Sequence, residues 1–252
     1  MAPSIADVLP LPTFTTPTSK KRTGTGPVAL FHHSLVTDSF DALKFHAAAS
    51  LQLDFGHGNR EFATADDYLI SSPYNGPLHL LDMRRLETPS QIFAKALTIL
   101  KPVRDDYATA SYIDSFNWQS VINLVQEISA AENYEWKEHS FYVVVFQSCL
   151  NADADMSLLH DLDSHSHEEA TTSGGLLKYW FGSKNENHRN LATCLWRSRE
   201  DARLGGTGPW HKRARIAARD LYAQIEFTTL KFVVADGAKD WSIVDWDEAA
   251  DK

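Results

Sequence analysis

The stretch FYVVVFQSCL, residues 141–150, decides the fold of this chain. It is apolar almost throughout and rich in valine, and such a run predicts a strand that is buried on both faces. A helix follows, with Asp153 or Asp155 as its N-cap, and Gly174 with Gly175 ends it. The sequence therefore places a buried strand directly before an amphipathic helix.

Two shorter apolar runs follow that helix, Leu176–Phe181 and Asn190–Arg197, and the polar turn between them predicts a β-hairpin. A short helix begins near Ser198, a longer one begins at Pro209, and Phe227–Ala235 reads as the next strand. The order is β-α-β-β-α-β. The predicted fold class is therefore α+β, a ferredoxin-like unit with both helices on one face of an antiparallel sheet.

The chain upstream of this unit is less regular. Residues 1–27 are rich in Pro, Thr, Ser and Gly and are expected to be a disordered tail, and Asp41–Leu53 reads as a helix. Leu78–Met83 predicts a strand, and two helices follow, the first with Thr88 as its N-cap. We expect one α+β domain over residues 28–252, with an N-terminal portion (28–139) and the ferredoxin-like unit (140–236). The second face of the sheet is to be covered by that portion, by a second copy or by a ligand.

Composition narrows the classes of function. The 252 residues carry a formal net charge of -9, and an acidic total argues against a nucleic-acid binder. No apolar run approaches the ~20 residues that cross a bilayer, and the first 27 residues lack the apolar core of a signal peptide. Cys149 and Cys194 are too few for a disulfide framework. A soluble, cytoplasmic protein is the expectation.

Two stretches carry a resemblance. LATCLWRSREDA (191–202) followed by PWHKRA (209–214) resembles the dimeric α/β-barrel superfamily, which includes small monooxygenase-like proteins of antibiotic biosynthesis and some haem enzymes. That resemblance implies a pocket between sheet and helices, or inside a barrel built from two sheets. Through GGLLKYWFG (174–182) the whole chain also resembles a family of uncharacterised fungal proteins, and this second resemblance implies no particular activity. The superfamily's usual member is a short unit that dimerises, whereas this chain carries an extra N-terminal portion.

Two residues are catalytic candidates. His211 stands near the start of the helix from Pro209, where the helix dipole favours the neutral imidazole that a general base requires. Arg197 ends a strand and is a candidate anchor for an anionic substrate oxygen. The alternatives are a capping or surface histidine and an arginine that pairs with Glu200 or Asp201.

Large side chains near these two residues are candidates for binding a planar substrate, although each of the aromatic ones is also an ordinary core residue. Strand alternation puts Lys178 and Trp180 on one sheet face and Tyr179 on the other. The candidate substrate-binding residues are Lys178, Tyr179, Trp180, Trp196 and Trp210.

The densest group of metal-type ligands is HDLDSHSHEE, residues 160–169, on the first helix of the unit. It contains no His-Glu-x-x-His or other strong zinc pattern, and the solvated side of an amphipathic helix explains it equally well. No P-loop or dinucleotide-binding fingerprint occurs in the chain either. No metal and no cofactor is therefore predicted.

These observations favour a small-molecule-binding protein or a cofactor-independent enzyme of secondary or oxidative metabolism, with its pocket between the hairpin and the helix from Pro209. The alternative is a non-catalytic interaction or dimerisation module that uses the open sheet face. A homodimer remains an open alternative, whereas nucleic acid and membrane are not expected partners. The sequence does not decide whether the protein is an enzyme.

Overall fold

The computed structural model describes residues 68–247. The expected tail and the helix predicted at residues 41–53 lie outside the described residues. Within the described part, two short strands precede a five-stranded antiparallel sheet. The strands are β1 Tyr68–Leu69, β2 Leu81–Asp82, β3 His139–Leu150, β4 Leu176–Phe181, β5 Arg189–Trp196, β6 Tyr222–Val234 and β7 Trp241–Asp245. The helices are α1 Thr88–Ala96, α2 Tyr112–Ser115, α3 Trp118–Ala131, α4 Met156–Ser173, α5 Arg199–Gly205 and α6 Pro209–Leu221.

The large sheet has the order β4-β5-β3-β6-β7, and every neighbouring pair is antiparallel. Along the chain, β3 is followed by α4, by the hairpin β4-β5, by α5 and α6, and by β6. The first and third strands of the unit are thus central neighbours, as in a ferredoxin-like fold. This topology confirms the predicted α+β, ferredoxin-like fold class, and β7 extends the sheet by one strand.

The N-terminal helices cover one face of the large sheet, the dry face, which carries Phe141, Val143, Trp180 and Phe232. The ring of Phe93 in α1 stacks on Phe141 with centroids 4.1 Å apart. The ring of Trp118, at the start of α3, lies edge-on to Phe232 at 5.1 Å. The N-terminal portion is therefore what covers the face whose cover the sequence left open.

The opposite face, the polar face, carries Tyr142, Tyr179 and Trp196 and packs against helices of the ferredoxin-like unit. Ala170 of α4 and Ala202 of α5 lie in this contact. Helix α4 also packs along α6. The small side chains let α4 and α5 approach the sheet closely, so that longer side chains of α4 reach into the interface.

Local signals set the bounds of α4. Asp155 is its N-cap, and its Oδ1 accepts hydrogen bonds from the amides of Ser157 and Leu158 at 2.9 and 3.0 Å. The helix ends at Ser173, and Gly174 follows with φ at 87°, a backbone angle that favours glycine. The predicted cap and the predicted stop therefore both hold.

Two predicted strands differ from the observed ones. The strand predicted at residues 78–83 is reduced to the two-residue β2, and a 3₁₀ turn, Pro77–His79, precedes it. The turn forms there because the fixed φ of Pro77 suits the first position of a helical turn. Strand β6 begins at Tyr222 rather than at Phe227. Its first residues pair with β3, but few of them are buried, so they lack the apolar alternation that marks a strand. Within residues 68–247, no helix is long and apolar enough to cross a membrane.

Candidate functional site

Helix α4 directs a carboxylate and an imidazole toward the polar face. Asp163, His167 and Ala170 stand at i, i+4 and i+7, which places them on one side of the helix. Asp163 accepts a hydrogen bond from the hydroxyl of Tyr74 and another from the hydroxyl of Tyr179, each with an O···O distance of 2.5 Å. One carboxylate thus joins helix, sheet and the segment that precedes β2.

The two phenols are hydrogen-bond donors throughout the physiological range. Burial raises the pKa of Tyr74 well above its ordinary value, and the negative charge of Asp163 raises it further. Burial and the same charge also raise the pKa of Tyr179, which is only 9% exposed. Both hydroxyls therefore keep their protons, and Asp163 receives two donors.

A pair of histidines lies beside this carboxylate. The Nδ1 atoms of His79 and His167 are 2.9 Å apart, so one of them donates to the other. The Oε1 atom of Glu168 is 3.5 Å from Nε2 of His79. The ring of Tyr74 stacks on that of His79 with centroids 4.7 Å apart. We call Tyr74, His79, Asp163, His167 and Tyr179 the α4 cluster.

Burial keeps both imidazoles neutral. It lowers the pKa of His167 to about 3, and a positive charge on His79 or His211 would lower it further. Burial also lowers the pKa of His79, although the charge of Glu168 opposes this. The carboxylate of Glu168 favours the tautomer of His79 with its proton on Nε2. His79 Nδ1 then accepts from His167 Nδ1, which leaves a lone pair on Nε2 of His167.

Glu169, the residue after Glu168 on α4, forms a second carboxylate–histidine pair, with His211. Glu169 accepts hydrogen bonds from the amides of Trp210 and His211, at 2.7 and 3.0 Å, and its Oε2 is 2.9 Å from Nδ1 of His211. Burial raises the pKa of Glu169, but these hydrogen bonds outweigh it and the net shift is downward. A Cβ at Gly208 would come within 2.3 Å of the Glu169 carboxyl carbon, so glycine is needed for this close approach.

The residues predicted from the sequence divide between the two sheet faces. Tyr179 belongs to the α4 cluster, and His211 lies near it through Glu169. Trp210 stacks on His165 of α4 with centroids 4.1 Å apart. Trp196 packs on the polar face, whereas Trp180 lies in the core of the dry face. The predicted substrate-binding residues are therefore not brought together in one site.

Lys178 is the one buried lysine of the described part and is 2% exposed. Burial lowers its pKa to about 7. Its strand places it on the same side as Trp180, away from Tyr179. The structure therefore separates Lys178 from the α4 cluster by the thickness of the sheet.

Arg197 forms a forked ion pair. Its Nε and Nη2 atoms donate to the two carboxylate oxygens of Asp201 at 2.8 and 2.7 Å, and its Nη1 donates to the carbonyl of Arg85 at 3.0 Å. This pairing with Asp201 is the predicted alternative to substrate binding. In the structure, Arg197 ties β5 to α5 and to the N-terminal portion.

Sequence reasoning missed Tyr74 and His79, and it weighed Asp163 and His167 only as members of the metal-type group at residues 160–169. The first two lie in a segment without clear periodicity. Asp163 did carry a signal, because together with His167 it forms a polar pair at i, i+4 next to the apolar positions Leu162 and Ala170. No group of three or more His, Cys, Asp or Glu residues among those described is arranged to hold a metal ion.

Several solved structures resemble part of the chain. Rv0793 from Mycobacterium tuberculosis is 18% identical, with a TM-score of 0.32, over 36% of this chain and 92% of its own. SnoaB, a cofactor-independent oxygenase from Streptomyces nogalater, is 10% identical, with a TM-score of 0.30, over 36% and 90%. A dimeric ferredoxin-like protein from Thermobifida fusca is 12% identical, with a TM-score of 0.30, over 38% and 96%. Likeness of this strength carries no argument about activity.

One relative is much more similar to this chain in sequence than these solved structures are. UPF0643 protein PB2B2.08 of Schizosaccharomyces pombe is 34% identical over 186 residues, which is 71% of this chain and 84% of the relative. The family model described as PB2B2.08-like matches residues 70–245, and this range contains the whole α4 cluster and the large sheet. The chain therefore belongs to the PB2B2.08-like family.

Proposed function

We propose that this protein is a cofactor-independent enzyme that carries out acid–base chemistry on a small organic molecule, with His167 as the base. One observation carries the proposal. His167 is 4% exposed, and its Nε2 atom has no hydrogen-bond partner among the described residues. A buried polar atom without a partner costs about 1–3 kcal/mol, so its presence needs a reason such as a bound ligand.

The surroundings of His167 suit proton transfer. The carboxylate–imidazole–imidazole series Glu168–His79–His167 sets the tautomer that leaves a lone pair on Nε2. With a pKa of about 3, the imidazole of His167 is a weak base before a ligand binds. An acidic substrate changes this, because the anion that forms on proton transfer lies next to the new imidazolium and stabilises it. The proposed substrate is therefore a weakly acidic organic molecule.

The segment 70–79 offers the route of entry. It carries Tyr74 and His79 and contains only a 3₁₀ turn as regular structure. The amide of Tyr179, in the edge strand β4, donates to the carbonyl of Ser71 at 2.9 Å and holds one end of the segment. Outward movement of the middle of the segment, around Tyr74, would uncover His167 while His79 keeps its contact with Nδ1 of His167.

Exchange with heavy water tests the proposal without a known substrate. The purified protein is incubated in D₂O with a small-molecule extract of fission yeast, and mass spectrometry follows every compound for deuterium uptake and for depletion. We expect at least one compound to change with the wild-type protein and not with His167→Gln. His160→Gln is the matched control, since His160 lies on the same helix but is exposed. Identical extracts after treatment with wild type and His167→Gln would refute the proposal.

A non-catalytic role in pairing with a second copy is the second candidate, and exposed aromatic surface favours it. Phe227 is 61% exposed, and its ring packs edge-on against that of Phe146 at 5.0 Å on the open end of the sheet. Burial of such a patch stabilises an interface. Light scattering should then show a dimer for the wild-type protein and a monomer for Phe227→Ser. A wild-type protein that is a monomer even at about 100 µM, roughly the highest concentration at which a weak dimer would matter in a cell, would remove this candidate.

A further inference from the structure

A cavity of about 520 Å³ lies on the dry face, at the end of the sheet that α1 and α3 leave uncovered. Residues 110–113 wall it on one side, and β3, β6 and β7 provide the rest. It is open to solvent. Its volume is in the range of about 300–1,000 Å³ that is typical of sites for small organic molecules.

The lining of this cavity combines an apolar floor with a few polar groups. Val145, Leu230 and Ile243 contribute the apolar part, and Gln147 and Thr228 contribute an amide and a hydroxyl. Of the described residues that line the cavity, Asp245 is the charged one. Its Cα is the register partner of Leu230, so its side chain lies on the cavity side of the sheet, next to the apolar floor.

The wall of the cavity is held in place. The Nε2 atom of Gln147 is within 3.5 Å of the carbonyls of Ala108 and Ala110, at the start of the wall. The hydroxyl of Tyr112 is 2.8 Å from Oγ1 of Thr193 in β5. Because two strands anchor these residues, the cavity exists before any ligand binds, and binding does not have to order a loop.

We infer that this cavity is a binding site for a small organic cation, an amine attached to an apolar or aromatic body. The body fits the floor, and the carboxylate of Asp245 at the rim matches the charge. The site lies on the opposite sheet face from the α4 cluster, so it goes beyond the proposed enzymatic function and is independent of it.

A matched pair of fluorescent probes tests the inference. Dansylcadaverine carries an ammonium group, and N-pentyl dansylamide has the same aromatic body and the same five-carbon chain without it. Each is titrated into the full-length protein, and the increase in dansyl emission is recorded. We expect dansylcadaverine to bind about 3- to 5-fold more tightly, the size of one partly exposed ion pair, and Asp245→Asn to abolish that difference.

Two tryptophan substitutions locate the probe. Thr228→Trp places an indole ring in the cavity and should weaken binding of both probes, whereas Thr229→Trp, on the next residue and the other sheet face, should leave binding unchanged. Both positions are exposed on a strand, so neither change should disturb the fold. The inference is overturned if neither probe binds, if Thr228→Trp binds as wild type does, or if Asp245→Asn retains the preference for the cation.

Discussion

The two faces of the large sheet are buried in different ways. On the dry face, aromatic rings from the N-terminal helices pack directly on rings of the strands, as Phe93 does on Phe141. On the polar face, one carboxylate, Asp163, holds two phenols, and two imidazoles sit beside it. Apolar packing yields stability without depending on pH, whereas a buried titratable group is stable only in one protonation state. We therefore expect the dry face to supply most of the stability and the polar face to make that stability depend on pH.

The largest expected effect on stability comes from removing a buried aromatic ring that packs on the dry face. Phe93 has no exposed surface, and Phe93→Ala removes its contacts with Phe141 and Phe232. We expect a loss of about 3–5 kcal/mol in the free energy of unfolding, measured by urea denaturation. Phe227→Ala is the control, because that ring is 61% exposed and its loss should change stability by less than about 1 kcal/mol. Equal effects of the two substitutions would contradict the burial of the N-terminal helices on the sheet.

Acid is expected to lower the free energy of unfolding through His167 on the polar face. The pKa of His167 is about 3 in the folded protein against 6.5 when unperturbed, so the unfolded chain binds the extra proton between these values. Stability from this group is therefore complete above about pH 6.5 and falls as the pH decreases toward 3. We expect it to contribute about 2–3 kcal/mol of acid destabilisation, less than the full shift implies, because water entering around the charged ring lowers the penalty.

Comparison of unfolding curves at several pH values measures this contribution. His167→Gln should have a shallower loss of stability below pH 6.5 than wild type, while the exposed control His160→Gln should follow wild type. His167→Gln leaves the other charged and titratable groups of the α4 cluster in place, so its difference from wild type reports this imidazole. Parallel acid profiles of wild type and His167→Gln would show that its protonation does not oppose folding.

Lys178 is a buried titratable residue on the otherwise apolar dry face. It therefore tests whether stability depends on pH wherever a titratable group is buried, and not on the polar face alone. Its folded-state pKa is about 7 and its ordinary value is 10.5. The unfolded chain holds more protons between these values, so stability should rise as the pH increases from 7 to 10.5. Lys178→Met should remove this rise, because the methionine side chain carries no titratable group. A rise of equal size in Lys178→Met would assign the pH dependence to other groups.

The smallest effect is expected where the two phenols share Asp163. Tyr74→Phe and Tyr179→Phe each remove one hydrogen bond and should each lower stability by about 1 kcal/mol. The double variant should lose more than the sum, because Asp163 then loses both of these donors. Thermal unfolding of the three variants gives the coupling free energy. Strict additivity would mean that the phenols act independently.

Much of the fold could be predicted because its signals are local. The apolar run at 141–150, the cap at Asp155 and the stop at Gly174 each depend on a few neighbouring residues, and each agrees with the structure. The pairing of Arg197 with Asp201 spans four residues and could be weighed for the same reason. The α4 cluster could not be predicted, since its partners are 88 and 89 residues apart. Only the folded chain brings them together.

The position of the N-terminal helices on the dry face has a consequence for synthesis of the chain. Residues 88–131 leave the ribosome before any strand of the large sheet exists, because β3 begins at His139. The aromatic partner of Trp118 on β6, Phe232, is among the last described residues to be made. The nascent chain must therefore keep the apolar sides of α1 and α3 out of aggregates until β6 has also been made.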